Sequence, residues 1–285
     1  MIKPAWLNKR VKLSACHNLK NTLRRYRLHT VCEEALCPNI SECFSCGVVT
    51  FIILGDICTR GCNFCGIKKG EPFKPDFDEP GRVKRAVKEL GLSYVVITSP
   101  TRDDLFDCGA EIFCRTIKAI KSLNSKITIE LLIPDFLGKA ELIKRIAYCG
   151  AQVVSHNLET TPSLYLQIRK GASYQRSLGI LKLLKGMNKQ IFTKSGLMLG
   201  LGENDNEVIG VLRDLRKTEC DFLTLGQYLP PSLTSYPLKE YVEPAKFTYF
   251  RKYALALGFK DVKSAPYVRS SYLAHTFINN QKHFT

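Results

Sequence analysis

No uncharged apolar run in this chain approaches the length that spans a bilayer, and the opening residues MIKPAWLNKR carry charges with no apolar segment behind them. Neither a membrane protein nor an exported one is expected, and the sequence reads as cytoplasmic. Low-complexity tracts and sequence repeats are missing too, while hydrophobic residues make up 45% of the composition, which places the chain among ordered globular proteins. Acidic side chains are in deficit: 42 Lys and Arg against 26 Asp and Glu leave a formal net charge of +16. Such a surface draws anionic partners of any class. Its local concentrations, LRRYR (23–27) and VKRAVK (83–88), come with no recognisable nucleic-acid-binding motif, so neither nucleic acid nor membrane is an expected partner. Twelve cysteines would suit a short secreted disulfide scaffold, but the large apolar content and the missing export signal favour a reducing compartment with metal-bound thiolates.

The 285 residues allow two average domains or one α/β barrel. After an N-terminal arm, VVTFIILG (48–55) is apolar, β-branched and stopped by Gly55-Asp56, the mark of a buried strand. Helical spacing follows in GRVKRAVKEL, with Gly91 as its stop. The alternation recurs with YVVIT (94–98), ITIELLI (127–133), AQVVSHN (151–157), IFTKSGLML (191–199) and DFLTLGQY (221–228), each preceding a helical stretch. These strand–helix units predict an α/β fold, a partial (β/α)6 TIM-like barrel with a wide mouth, since a full barrel has eight units. The expected division is an arm (1–47), the barrel (48–258) and a tail (259–285), arm and tail serving as lids across the mouth. Polar residues at the strand ends, among them Asp56, Arg102, Asp103, Asp135 and Asn157, mark the end that carries chemistry in such folds.

Within CTRGCNFC (58–65), Cys58, Cys62 and Cys65 have C-x3-C-x2-C spacing on the loop leaving the first strand, with no obvious fourth ligand. Three thiolates on one short loop can hold three irons of a cubic iron–sulfur cluster and leave the fourth iron open to a small molecule. A zinc ion completed by a distant Cys or His is the alternative. Upstream, CEEALCPNISEC places Cys32, Cys37 and Cys43 at C-x4-C-x5-C, again three ligands unless Cys46 completes a zinc site. Two incomplete sets suggest two clusters.

The spacing and placement of the 58–65 loop resemble the radical S-adenosylmethionine (SAM) superfamily. The resemblance narrows to the lipoyl synthase family through CEEALCPNISEC followed by TFIILGDICTRGCNFC, SPTRDDLFDCGA (99–110), ELLIPDFLG (130–138), SHNLETTPSLY (155–165), TKSGLMLGLGE (193–203), DFLTLGQYLPPS (221–232) and VRSSYLA (268–274). It runs from about Lys3 to Ala274, nearly the whole chain.

That resemblance implies two 4Fe-4S clusters and SAM as cofactors. The open iron at Cys58, Cys62 and Cys65 chelates the methionine moiety of SAM, whose one-electron cleavage gives a 5′-deoxyadenosyl radical able to attack carbons of no useful acidity. The implied reaction inserts two sulfur atoms, at carbons 6 and 8 of an octanoyl chain held on a lysine of a lipoyl carrier domain. The cluster at Cys32, Cys37 and Cys43 is the implied sulfur source, with Ser271, the second serine of VRSSY, as its fourth ligand. Implied partners are the octanoylated carrier domains of 2-oxoacid dehydrogenase acyltransferase subunits and the glycine cleavage H protein. A low-potential electron donor such as ferredoxin or flavodoxin, and an iron–sulfur carrier that rebuilds the spent cluster, complete the set. A monomer is expected, because a large carrier domain has to reach the mouth.

GLMLGLGE (196–203) is similar to the superfamily pattern G-x-I-x-G-x-x-E, which makes Gly196, Met198, Gly200 and Glu203 candidate cofactor contacts, Met198 against adenine. Phe64 is similar to the aromatic residue these loops often carry, and Arg102 and Asn157 join the candidates as polar contacts, with Asp103, Glu159 and Gln227 as further mouth residues. His156 is expected beside the site rather than as a ligand. Cys16, Cys46, Cys108, Cys114, Cys149 and Cys220 match no ligand spacing and are expected to pack as small hydrophobes. Cys108 stands where related sequences usually have glycine, and Phe44 where tryptophan is common; both departures are expected to affect packing alone. A biotin-synthase-like enzyme is the alternative within the superfamily, against which the upstream cysteine set and VRSSY speak. A zinc-stabilised nucleic-acid-binding protein is the alternative of another class.

Overall fold

The structure, a computed structural model, describes residues 2–8, 17–34, 37, 39–45 and 48–281; Cys16 and Cys46 lie outside the described residues. The arm contributes α1 (His17–Arg25), β1 (His29–Thr30), α2 (Val31–Glu34) and α3 (Ile40–Ser45). β2 (Thr50–Ile52) opens the barrel and leads into the cysteine loop, which carries the short strands β3 (Ile57–Cys58) and β4 (Lys68–Lys69). The alternation continues through α4 (Glu79–Glu89), β5 (Tyr94–Thr98), α5 (Ala110–Lys121), β6 (Thr128–Leu132), α6 (Ala140–Ala147) and β7 (Val153–Ser155). It closes with α7 (Tyr165–Ile168), α8 (Tyr174–Met187), β8 (Phe192–Leu199), α9 (Asp205–Lys217), β9 (Phe222–Gln227), α10 (Pro244–Ala256), β10 (Asp261–Ser264) and α11 (His275–Gln281).

The main sheet has eight strands in the order β1-β2-β5-β6-β7-β8-β9-β10. From β2 to β10 every neighbour is parallel, whereas β1 runs antiparallel along the outer edge of β2. The two edge strands do not pair, so the barrel is partial, as the six strand–helix units predict. Two strands were not expected: β1 comes from the arm and β10 from the stretch read as tail. Each covers an edge of the six-strand sheet, which would otherwise present a row of unpaired backbone groups.

β2 pairs over fewer residues than its apolar run suggests. Leu54 and Gly55 adopt φ values of +68° and +84°, which end the strand and turn the chain into the cysteine loop. Helices α4, α5 and α6 bury Val83, Phe113 and Ile143 against Val95 and Ile129, and α9 and α10 bury Leu212 and Phe250 against Leu223 and Leu225. At the beginning of the strands, Phe277 of α11 packs tilted against Phe222 at 5.0 Å between ring centres and plugs that end of the barrel. Among the described residues no helix is long and apolar enough to cross a membrane.

Candidate active site

The loop bearing Cys58, Cys62 and Cys65 is held by four other loops at the same end of the sheet. Thr59 N–H donates to the Thr101 carbonyl at 3.1 Å after β5. Arg60, between the first two cysteines, is 8% exposed and forks onto two carboxylates: Nε and Nη2 reach Asp103 at 2.6 and 2.9 Å, and Nη1 and Nη2 reach Asp135 at 2.8 and 2.7 Å. Asn63 N–H donates to the Ile168 carbonyl at 2.9 Å, and its own carbonyl accepts from Tyr236 N–H at 2.8 Å. Burial pushes the Asp135 carboxyl up, but the hydrogen bonds and charge of Arg60 and the charge of Arg176 outweigh it and hold its pKa at about 2.

The upstream set folds locally. Cys37 N–H donates to the Cys32 carbonyl at 3.1 Å, and Cys43 N–H to the Asn39 carbonyl at 2.9 Å, which wraps α2 and α3 around one centre. The tail meets this turn. Tyr272 OH donates to Glu42 Oε1 at 2.7 Å, Thr50 Oγ1 donates to Ser271 Oγ at 2.8 Å, and Asn157 Nδ2 donates to Ser270 Oγ. Gly226 permits the approach, since a Cβ there would lie 2.0 Å from the Val268 carbonyl oxygen.

Both cysteine sets and Ser271 line one cavity of about 580 Å³ at the barrel mouth. Asn157, Gly196, Met198 and Phe64 line it as well. Phe64 and Met198 pack into one apolar cluster with Ile168, Leu201 and Tyr228, so the cysteine loop and β8 share a wall. Gly196 has no room for a side chain: a Cβ there would stand 2.6 Å from Thr224 Oγ1 and 3.1 Å from Asn157 Oδ1. Burial raises the Glu159 carboxyl, which accepts from Asn157 Nδ2 at 3.0 Å. His156 is buried beside the cavity with Nδ1 facing the Ile133 carbonyl at 2.9 Å and Nε2 facing Ser177 Oγ at 3.0 Å. A carbonyl only accepts, so Nδ1 carries the proton, and burial lowers the ring's pKa to about 4.

Four candidates do not line the cavity. Asp103 is taken up by Arg60 instead. Arg102 is 1% exposed and turned into the protein, where it donates to the Leu54 and Phe73 carbonyls and to Asp104. Gly200 and Glu203 build the turn after β8: the carboxylate accepts from Gly200 N–H at 2.6 Å and Leu201 N–H at 2.9 Å. Gly200 has φ +95°, and a Cβ on it would strike the Glu240 carbonyl at 2.3 Å. Gln227 lines the cavity, but its amide is committed to the Leu199, Tyr228 and Glu240 carbonyls and to Val242 N–H.

Cys108 and Cys220 are buried as expected, while Cys114 and Cys149 are half-buried and hydrogen-bond to each other. Cys108 has φ +50°, a conformation that favours glycine. Sequence reading passed over Arg60 and Arg169. Arg169 lines the cavity and donates through Nη1 to the Asn157 carbonyl at 2.7 Å and Tyr165 OH at 2.6 Å, and its charge bears on Cys62. Its place in IRKG, past a short helix, gives no signal in the sequence.

The donor set fits iron–sulfur clusters better than single ions. Around one tetrahedral zinc at about 2.3 Å, thiolate sulfurs stand about 3.8 Å apart. Among the described residues no three cysteine sulfurs come within 4.8 Å of one another, as suits thiolates bound to separate irons. Burial pushes the Cys65 thiol up to about 11 and raises those of Cys32 and Cys62, so metal loading displaces protons. The other wall has polar atoms left over for a ligand: Asn157 Oδ1 and Arg169 Nε are buried without a hydrogen-bond partner.

A parallel, unclosed barrel with a C-x3-C-x2-C loop after its first strand defines the radical SAM superfamily, and the family model of that name matches residues 52–215. Solved structures share the fold at low identity. Methylornithine synthase (PylB) aligns with a TM-score of 0.57 at 14% identity over 84% of this chain and 82% of that one. Streptococcus suis SuiB bound to precursor peptide SuiA aligns with a TM-score of 0.60 at 13% identity over 93% of this chain and 57% of that one. The relationship is far closer to two lipoyl synthases. That of Caldicellulosiruptor saccharolyticus is 52% identical over 95% of this chain and 96% of its own length, and that of Geobacter metallireducens is 50% identical over 95% and 96%. The chain belongs to the lipoyl synthase family.

Proposed function

We propose that this enzyme inserts two sulfur atoms, at carbons 6 and 8 of an octanoyl chain attached to a lysine of a carrier domain. The observation that carries the reading is the meeting of both three-cysteine sets and Ser271 in one cavity. Cys58, Cys62 and Cys65 would hold the cluster that binds SAM; Cys32, Cys37, Cys43 and Ser271 would hold a second, consumed as the sulfur donor. When bound, the first cluster and SAM supply hydrogen abstraction from carbons that no general base can activate.

The chain's own residues do the rest. Arg60 and Asn63 fix the cysteine loop, Phe64 and Met198 form the apolar wall for an adenosine, and Gly196, without a side chain, lets Thr224 and Asn157 pack close to β8 beside it. Asn157 Oδ1 is free to accept from the nucleoside, and Arg169 brings positive charge for a carboxylate. The arm and tail bring the sulfur donor to the same cavity, so one octanoyl chain can meet both centres without leaving. An alkoxide is a poorer partner for iron than a thiolate, so Ser271 would hold its iron less firmly than Cys32, Cys37 and Cys43 hold theirs.

Carrier domains of 2-oxoacid dehydrogenases and of glycine cleavage are the proposed substrates, with a ferredoxin or flavodoxin as electron donor and an iron–sulfur carrier for rebuilding. The chain is proposed to act as a cytoplasmic monomer. Anaerobically reconstituted protein given SAM, dithionite and an octanoylated carrier peptide should bind about eight irons and yield a doubly thiolated peptide by mass spectrometry. Ser271→Ala should lose the doubly thiolated peptide while still cleaving SAM. Cofactor cleavage with no sulfur on the wild-type reaction's peptide would sink the reading.

A further inference from the structure

Residues 270, 271 and 272 are each gripped by a different part of the molecule: Ser270 by Asn157 after β7, Ser271 by Thr50 on β2, and Tyr272 by Glu42 of α3. The middle grip differs from the others because Thr50 holds two things at once. Its hydroxyl donates to Ser271 Oγ at 2.8 Å, and its backbone N–H hydrogen-bonds to the Cys32 sulfur. Thr50 is 2% exposed and belongs to the first strand of the barrel, in register with Val96 of β5, so arm and tail both attach to a strand of the main sheet.

We propose that Thr50 is the positioning residue of the upstream site, aiming Ser271 Oγ at the iron that Cys32, Cys37 and Cys43 leave without a thiolate. The inference rests on the reading of Ser271 as that iron's ligand. A serine on a tail has three staggered χ1 wells open to it, and one hydrogen bond selects among them. Threonine suits the task because its branched Cβ is itself stiff in a strand, so the donor does not wander. Thr50 touches neither SAM nor the octanoyl chain in this account and acts only through Ser271 and Cys32.

Thr50→Val keeps the shape and removes the donor, Thr50→Ala removes it without adding a methyl group, and Thr50→Ser restores it. Each is reconstituted with 57Fe beside wild type and Ser271→Ala. Two readouts are taken: the Mössbauer signature of the oxygen-ligated iron, and the rate at which a chelator removes the first iron. Thr50→Val and Thr50→Ala should weaken the oxygen-ligated signature and speed the first iron's loss by about tenfold, the worth of one hydrogen bond to a charged oxygen. Thr50→Ser should recover both, and SAM cleavage at the other cluster should be unchanged in all three.

A Thr50→Val or Thr50→Ala protein with wild-type signature and rate overturns the proposal, as does a defect that Thr50→Ser does not recover, since packing would then be the cause. If Ser271→Ala itself leaves the signature intact, the serine is not the ligand and the underlying reading falls instead.

Discussion

Replacing Arg60 with methionine keeps an unbranched apolar stem and removes the guanidinium fork. Four contacts of 2.6–2.9 Å disappear, two from each carboxylate. Asp103 is 27% exposed and can turn to water, so its half of the loss is small. Asp135 is fully buried and keeps only Arg176 Nε at 2.8 Å and Leu137 N–H at 3.1 Å. Losing one partner of a buried charge typically costs about 3–5 kcal/mol, and the partners that remain put this case at the lower end, about 3 kcal/mol.

The protonation of Asp135 gives an independent figure. Its pKa falls from 3.8 to about 2 on folding, which at about 1.4 kcal/mol per unit is about 2.5 kcal/mol. Because the folded value is depressed, that stability is present above pH about 4 and lost as pH falls through about 2. Anaerobic chemical unfolding of apo-protein at pH 7 should show a loss of about 3 kcal/mol in Arg60→Met, and Arg60→Lys should recover less than half, since an ammonium cannot fork between two carboxylates. With the loop released, iron at Cys58, Cys62 and Cys65 should be stripped faster by a chelator. An unfolding free energy within about 1 kcal/mol of wild type, or unchanged iron retention, would refute the anchoring role.

Two further outcomes are expected. In Gly226→Ala the new Cβ meets backbone of Val268 at 2.0 Å, so the tail shifts; reconstituted protein should hold about four irons in place of about eight while SAM cleavage persists, and full iron would show that the tail approach is not needed. His156 has a pKa of about 4 when folded against 6.5 as a free side chain, so unfolded chains bind the extra proton and stability falls as pH drops from about 6.5 towards 4, by about 3 kcal/mol. His156→Gln should lack this slope, so its difference from wild type, followed by urea unfolding across that range, should change with pH; parallel curves would count against a buried neutral imidazole.

The six barrel strands were legible because each is an apolar run followed by a helix with its own period. β10 was not: in DVKS only Val262 is buried, and what places the segment in the sheet is the open edge of β9 rather than any pattern of its own. The cysteine spacings announced themselves, yet the residue that fixes their loop hides among the unspecified positions of the motif, with Asp135 75 residues away. Gly200 and Glu203 show the opposite limit. A glycine with a carboxylate three residues on reads the same whether the carboxylate faces a ligand or caps backbone amides, and here it caps. Arg102 was misplaced for a related reason: the Leu54 and Phe73 carbonyls that draw its guanidinium inward exist as a pair only after folding.

The two halves of the cavity also differ in how much chain they require. The cysteine loop is framed once Tyr236 has paired with Asn63, whereas the upstream site waits for Ser271 and Tyr272 to reach Thr50 and Glu42, partners 221 and 230 residues earlier. A chain emerging from the ribosome can thus frame its radical-forming half before the residues that finish its sulfur-supplying half have emerged. Closing so long a loop comes last and rewards little local structure. If the donor is consumed at each turnover, the site to be rebuilt is the one this arm–tail junction completes, so repair depends on contacts whose partners lie 221 and 230 residues apart in sequence.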